Sequence, residues 1–378
     1  MDNQNAVLIH AVGDIYADRP DPASIFSKVT HVLQRADITF CQLESPLSHT
    51  TVPSASKKDK AHDPKLVATA IKEAGFNVVS FASNHCMEGG LEAFLETIDS
   101  LRSAGCHVIG CGRDIREARE PAVIECKNNR IAILAYNSVG ITESWAQDNK
   151  PGCVPLRVWT FYEPMVPTQP GAPVRIHTFP YREDTASMIA DIQKAKSQAD
   201  VVIVSMHSGV RIMPAVVAEY QIDIAHAAID AGADLVIQHH AHILKGIDVY
   251  RGKAIFYGLG NFALEVHFMT KEWASRPEVK EEIRSFNPDW HPPYSDYPSY
   301  PFPPDSRKTV VTKFLVSNGS ISRVSFLPAM INGQSQPEII PPTDEQFQQV
   351  VDYIASISRD AGFHPNLKID GNEVLIVV

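Results

Sequence analysis

Short runs of apolar residues alternate with segments of helical period along the first half of the chain. The first run, AVLIHAVGD, ends in Gly13 and Asp14 and predicts a strand that delivers a carboxylate. Ile25, Val29, Val32, Leu33 and Ala36 then fall at helical spacing, and DITFCQLE predicts a second strand ending on Glu44. KLVATAIKEAG predicts a helix stopped by Gly75, NVVSFASNH a strand ending on Asn84 and His85, and GLEAFLETIDSLRSAG a helix stopped by Gly105. CHVIG and RIAILAYNS add two strands.

This grammar breaks between Ala146 and Glu183, a proline- and aromatic-rich stretch with Trp159, Phe161 and Tyr162 that predicts an irregular insertion. It resumes with the helix EDTASMIADIQKAKSQ, the strand ADVVIVSMH ending on His207, the helix AEYQIDIAHAAIDAG, and ADLVIQHHAH. A second irregular insertion is expected over residues 267–308, with Trp273, Trp290 and many prolines. KTVVTKFLVSNGSISRVSFLPAMI then predicts two strands joined at Asn318-Gly319. A last helix and strand over 336–378 are expected to pack on the domain formed by residues 1–335. The alternation of strand and helix predicts an α/β architecture of layered sheets flanked by helices.

At 378 residues with 44% hydrophobic content the chain supports a sizeable core. A net charge of -10 argues against nucleic acid or an anionic membrane as a general partner and leaves a small-molecule or acidic oligomer substrate open. The six cysteines form no CxxC pair, so reduced thiols are the simpler reading. The amino terminus has no basic, apolar leader pattern and no stretch approaches the roughly 18 apolar residues of a membrane helix; no membrane anchor and a cytoplasmic location are the resulting expectations.

The chemistry lies at the strand ends. Asp14, Glu44, Asn84-His85, His207 and His240-Ala241-His242 each close an apolar run, and the carboxyl ends of strands in α/β sheets gather at one crevice. Singly, each has a structural reading: a helix cap for Asp14, a turn residue for Glu44 or Asn84, a core histidine for His207. Together, carboxylate, amide oxygen and imidazole suit one or two divalent ions, Mn, Fe or Zn. Such ions polarise a scissile group and lower the pKa of bound water. His240 and His242, two apart on an extended segment, are expected to point to one side and His239 to the other.

The blocks GDIY (13–16), QLESPLS (42–48), AGFNVVSFASNHCMEGG (74–90), VVIVSMHSG, AGADLVIQHHAHILKGIDVYRGKAIFY and GLGNF (258–262) stand in an order and spacing that resembles the CapA/PgsA-type family. That family, named for capsule and poly-γ-glutamate synthesis, belongs to the calcineurin-like metallophosphoesterase superfamily. The resemblance implies that fold, with Asp14 and His242 on one ion, Asn84, His207 and His240 on the other, and Glu44 bridging. It makes His85 the residue that protonates the leaving group or stabilises developing charge, the former being the candidate role. Asn261, in GLGNF, is expected to brace the site by hydrogen bonds. Tyr16 stands where many phosphoesterases have a metal-binding histidine, and Ser208 and Arg211 follow His207 where the family has an aromatic and an acidic residue. Tyr16, Ser208 and Arg211 are therefore candidate substrate contacts, with the Arg211 guanidinium suited to a carboxylate or phosphate. Hydrolysis of a phosphoester or of an amide-type bond, γ-glutamyl included, is the leading expectation. A non-catalytic accessory role in polymer synthesis or export is the alternative.

Overall fold

The computed structural model describes residues 6–48, 63–266, 276–292 and 294–378. Two mixed sheets dominate it. In the first, of ten strands, Val7–Tyr16 lies centrally, parallel to Ile38–Leu43 on one side and antiparallel to Lys308–Ser317 on the other. In the second, of six strands, Asn129–Asn137, Val201–His207, Leu235–His239 and Lys253–Phe256 run parallel in that order. The fold class is α/β, with mixed sheets flanked by helices.

Side-chain alternation explains why the strands of the second sheet read as unbroken apolar runs. Ile131, Ile133, Val201, Ile203, Leu235 and Ile237 join a core shared with the first sheet. The intervening residues, Ala132, Leu134, Val202, Val204 and Val236, pack with Met188 and Ile192 of the helix Arg182–Lys196 and with Ile224 and Ala228 of the helix Glu219–Asp230. Both faces are covered, so both positions of the period-2 repeat are apolar. The carboxyl end of the chain joins the same fabric: Glu373–Val377 pairs with Ser320–Ile331, and Phe347, Val350 and Ile354 of the helix Glu345–Asp360 enter the shared core.

Three local expectations are corrected. The helical spacing from Ile25 to Ala36 forms a 3-10 turn, Pro22–Phe26, and one α-turn, Thr30–Leu33, rather than a continuous helix. The insertion after Ala146 is not irregular, because Val158–Pro164 and Val174–Pro180 make an antiparallel hairpin. The second insertion contains the helix Pro277–Phe286. Its first nine residues, 267–275, including Trp273, lie outside the described residues.

Candidate metal centre

Five chain segments converge at the carboxyl ends of the two sheets. Asp14 reaches the crevice where the pairing of Val7–Tyr16 shifts register, and its own N–H donates to Gly260 O at 2.9 Å. The neighbouring Gly13 makes that approach possible: a Cβ there would stand 2.0 Å from Gly260 O, far inside contact distance. Glu44 follows Ile38–Leu43 directly, and His207 and His239 end their strands.

Asn84 and His85 are not at a strand end. The strand closes at Ser80, and the pair sits in a turn that leads to the helix Gly90–Ser103. Ser83 secures this turn by donating to the Glu44 carbonyl at 2.9 Å and to Glu44 Oε2 at 3.3 Å. His240 and His242 likewise come together by another route than alternation. The strand ends at His239, and both residues take positive φ, 80° and 55°. Side chains bearing a Cβ resist that conformation, and strain of this kind gathers at functional sites. His239 also departs from expectation, since its Nδ1 turns to within 3.4 Å of Asp14 Oδ1.

The donors focus on one atom. Asn84 Oδ1 lies 2.9 Å from His207 Nε2 and 3.1 Å from His240 Nδ1, and His207 Nε2 lies 3.5 Å from Glu44 Oε1. Ligand atoms of Asp14, Glu44 and His207 all fall within 4.8 Å of one another. On the far side, His242 Nδ1 lies 2.8 Å from Asn261 Oδ1 and 3.5 Å from Asp14 Oδ2. Asn261 Nδ2 donates to Tyr300 Oη, which donates to the Ser306 carbonyl, so the carboxamide that holds His242 is itself held.

Burial sets the electrostatics. It pushes the Asp14 carboxyl well above the usual carboxylate range, opposed by the His240 N–H. It holds the His207 and His240 imidazoles well below their ordinary value and lowers His239 to about 3. Neutral imidazoles present lone pairs, and Asp14 Oδ1 has no hydrogen-bond partner among the described residues. Two buried carboxyl groups amid neutral nitrogen and amide-oxygen donors make a set that fits a divalent cation.

His85 stands at the accessible edge, its side chain 19% exposed while those of Asp14 and His207 are sealed. Glu88 Oε1 lies 2.6 Å from His85 Nδ1, which turns Nε2 toward Asn84 Nδ2 at 3.0 Å and Glu44 Oε2 at 3.7 Å. Glu88 was not among the expected site residues; its three-residue spacing from His85 in a turn is the sequence signal for it.

Two expected substrate contacts, Tyr16 and Ser208, are buried. Tyr16 packs with Ile212, Leu264, Trp290, Tyr300 and Phe302 in a small secondary core. Ser208 is sealed and donates its hydroxyl to Gln238 Oε1 at 2.9 Å. Arg211 differs, being exposed on the loop that follows His207.

That loop is held by Lys245, which sequence reading also missed. Its buried Nζ donates to the Met213 carbonyl and, at 2.9 Å, to the Val216 carbonyl, while Ile212 N donates to Ala241 O at 2.8 Å. The anchors maintain positive φ at Ile212 and Ala215, and Gly258 gives Lys245 its room because a Cβ there would meet Lys245 Cγ at 2.7 Å. Burial lowers the Lys245 amine to about 7. Above that pH the folded protein binds fewer protons than the unfolded chain, so this residue makes stability rise as pH increases from 7 toward the ordinary lysine value. The neutral amine still has a proton for each carbonyl. Lys245→Met is expected to flatten that rise in thermal scans, lower stability by about 1–3 kcal/mol through the unsatisfied carbonyls, and open residues 209–218 to proteolysis. An unchanged scan with an equally resistant loop would remove Lys245 from this role.

These features define an α/β chain with a buried, mixed carboxylate, amide and imidazole centre between two sheets. The family model described as bacterial capsule synthesis protein PGA_cap matches residues 6–265, and the chain belongs to that family. The PGA biosynthesis protein CapA of Bacillus subtilis (strain 168) is 27% identical over 251 residues, covering 64% of this chain and 57% of the relative. A probable polyglutamine synthesis accessory protein of Mycobacterium tuberculosis is 32% identical over 189 residues, 49% of this chain and 44% of the relative. The matches thus span about half the length of these relatives. A solved structure described as the calcineurin-like phosphoesterase YfkN of Bacillus subtilis aligns over 94% of this chain and 97% of its own at 14% identity and a TM-score of 0.41. Among the described residues no helix is long and apolar enough to cross a membrane.

Proposed function

We propose that this chain is a metal-dependent hydrolase acting on a phosphoester or amide-type bond, γ-glutamyl included, of a small or acidic oligomeric substrate. The observation that carries the reading is the focus of His207 and His240 on Asn84 Oδ1 with His85 oriented beside it at the open edge. In this reading Asn84, His207, His240 and Glu44 hold one ion of Mn, Fe or Zn, and Asp14 and His242 contribute a second, weaker position. A bound ion supplies Lewis acidity, polarising the scissile group and lowering the pKa of water at the site.

The protein's own groups do the rest. Glu88 accepts from His85 Nδ1 while Nε2 accepts from Asn84 Nδ2, so Nε2 passes a proton to the leaving group only after the ring takes one up and turns from that amide. Arg211, exposed beside the His240 turn, receives the anionic group of the substrate through its planar donors. Asn261 and Tyr300 keep His242 from rotating away.

A second reading, a non-catalytic accessory of polymer synthesis or export, is favoured by the description of the Mycobacterium tuberculosis relative as a probable accessory protein. A paired screen separates the two. Protein loaded with Mn, Fe or Zn is offered phosphomono- and diesters in one arm and γ-glutamyl oligomers in the other, with and without chelator. Chelator-sensitive turnover in either arm is expected; stoichiometric metal with no turnover in both arms overturns hydrolysis in favour of the accessory reading.

A further inference from the structure

The hairpin Val158–Pro164 and Val174–Pro180 exposes more large apolar side chains than any other part of the described structure. Trp159, Phe161, Tyr162, Met165, Ile176 and Phe179 are each half or more exposed. Cross-strand register puts Trp159, Phe161 and Phe179 on one face and Tyr162 and Ile176 on the other, so the arm is apolar on both sides. Fully buried aromatic side chains cover roughly 150–250 Å² each. Half of that over the six residues is on the order of 600 Å² summed over both faces, most of the about 800 Å² that each partner contributes to a stable interface before the strand edge is added.

Among the described residues the two strands pair only with each other. The inner strand is tied to the body: Glu219 Oε2 accepts from Thr178 N and Thr178 Oγ1 accepts from Tyr220 N. Among the described residues no such hydrogen bond ties down Val158–Pro164 along its outer edge, and an open edge beside an apolar face invites another strand.

We propose that this arm is a dimerisation element, in which the outer strand of one chain pairs with the same strand of a second copy about a two-fold axis. Charge selects the occupant. Glu163 is engaged by Arg175 at 3.3 Å and by His177 at 3.0 Å, and residues 164–174 contain no charged side chain, so the arm's charges are paired within the hairpin and its tip is neutral. The chain's net charge of -10 opposes an anionic bilayer. Two copies repel each other over most of their surfaces but not at this neutral tip, and a self-complementary patch is what a two-fold interface requires. The inference does not depend on the hydrolase reading.

Analytical ultracentrifugation of the full chain tests it. The wild type is expected to sediment as a dimer, and the double variant Phe161→Glu/Ile176→Glu to dissociate with a dimer constant weakened roughly 100-fold or more. Leu91→Glu, which removes an equally exposed apolar side chain from the helix Gly90–Ser103, is expected to stay dimeric. As a test free of folding effects from the double variant, Thr160→Cys alone is expected to form an interchain disulfide under mild oxidation. A monomeric wild type, a dimer indifferent to both glutamates, or flotation of a monomer with neutral phosphatidylcholine vesicles would each overturn the proposal.

Discussion

Asn84→Ala is expected to abolish retention of divalent metal while leaving the protein folded. Asn84 Oδ1 is the atom on which His207 Nε2 and His240 Nδ1 both close, at 2.9 and 3.1 Å. Removing it takes away a ligand and also the contact that sets the two imidazoles against each other. The residue lies in a partly exposed turn, so its loss opens no core cavity. Affinity for Mn, Fe or Zn should fall by about 100-fold or more, beyond the roughly 10–100-fold typical of losing a group that only supports a ligand. A ligand at about 100 times its dissociation constant stabilises the folded state by about 2.7 kcal/mol, and that increment should vanish from thermal scans of the variant. Asn84→Asp, which keeps an oxygen in place, should restore it. Metal content and metal-dependent stabilisation equal to wild type in Asn84→Ala would sink the assignment, whether or not any substrate has been found.

His85→Ala should do the reverse: metal stays and turnover falls by about 10²–10⁴-fold, the range for losing a positioned proton donor. The ring is not focused on Asn84 Oδ1 as His207 and His240 are; it meets Glu88 through Nδ1 and faces the opening. Glu88→Ala should give a smaller loss, because the imidazole remains but nothing selects its orientation. Glu88→Asp should recover much of the rate. The measurement is kcat on whichever substrate class turns over in the paired screen, alongside metal content for each variant. Loss of metal in His85→Ala would make the residue a support of the centre rather than a proton carrier.

The parts of this arrangement legible in the sequence were those written in local pattern. Asp14 and His207 close apolar runs whose two covered faces leave no ambiguity about strand identity. Asn318-Gly319 marked its hairpin because both residues must adopt positive φ, and they do, at 52° and 73°. The arm at 158–180 was hidden by prolines and by a long connection, although its strands do alternate across two faces. The packing of Tyr16 and Ser208 was not legible, because position beside a ligand says nothing about which way a side chain packs, and theirs pack inward.

The sequence by itself determined the order of the donors and their residue types, since apolar periodicity locates strand ends and a polar residue at such an end has few structural uses. Only the tertiary structure decided that donors 226 positions apart, Asp14 and His240, share one centre. It also turned His240 and His242 inward through left-handed backbone, brought His239 to Asp14, and strapped the Arg211 loop to Lys245. Local propensity disfavours such conformations, and they persist because sheet stacking and long-range hydrogen bonds over-determine them.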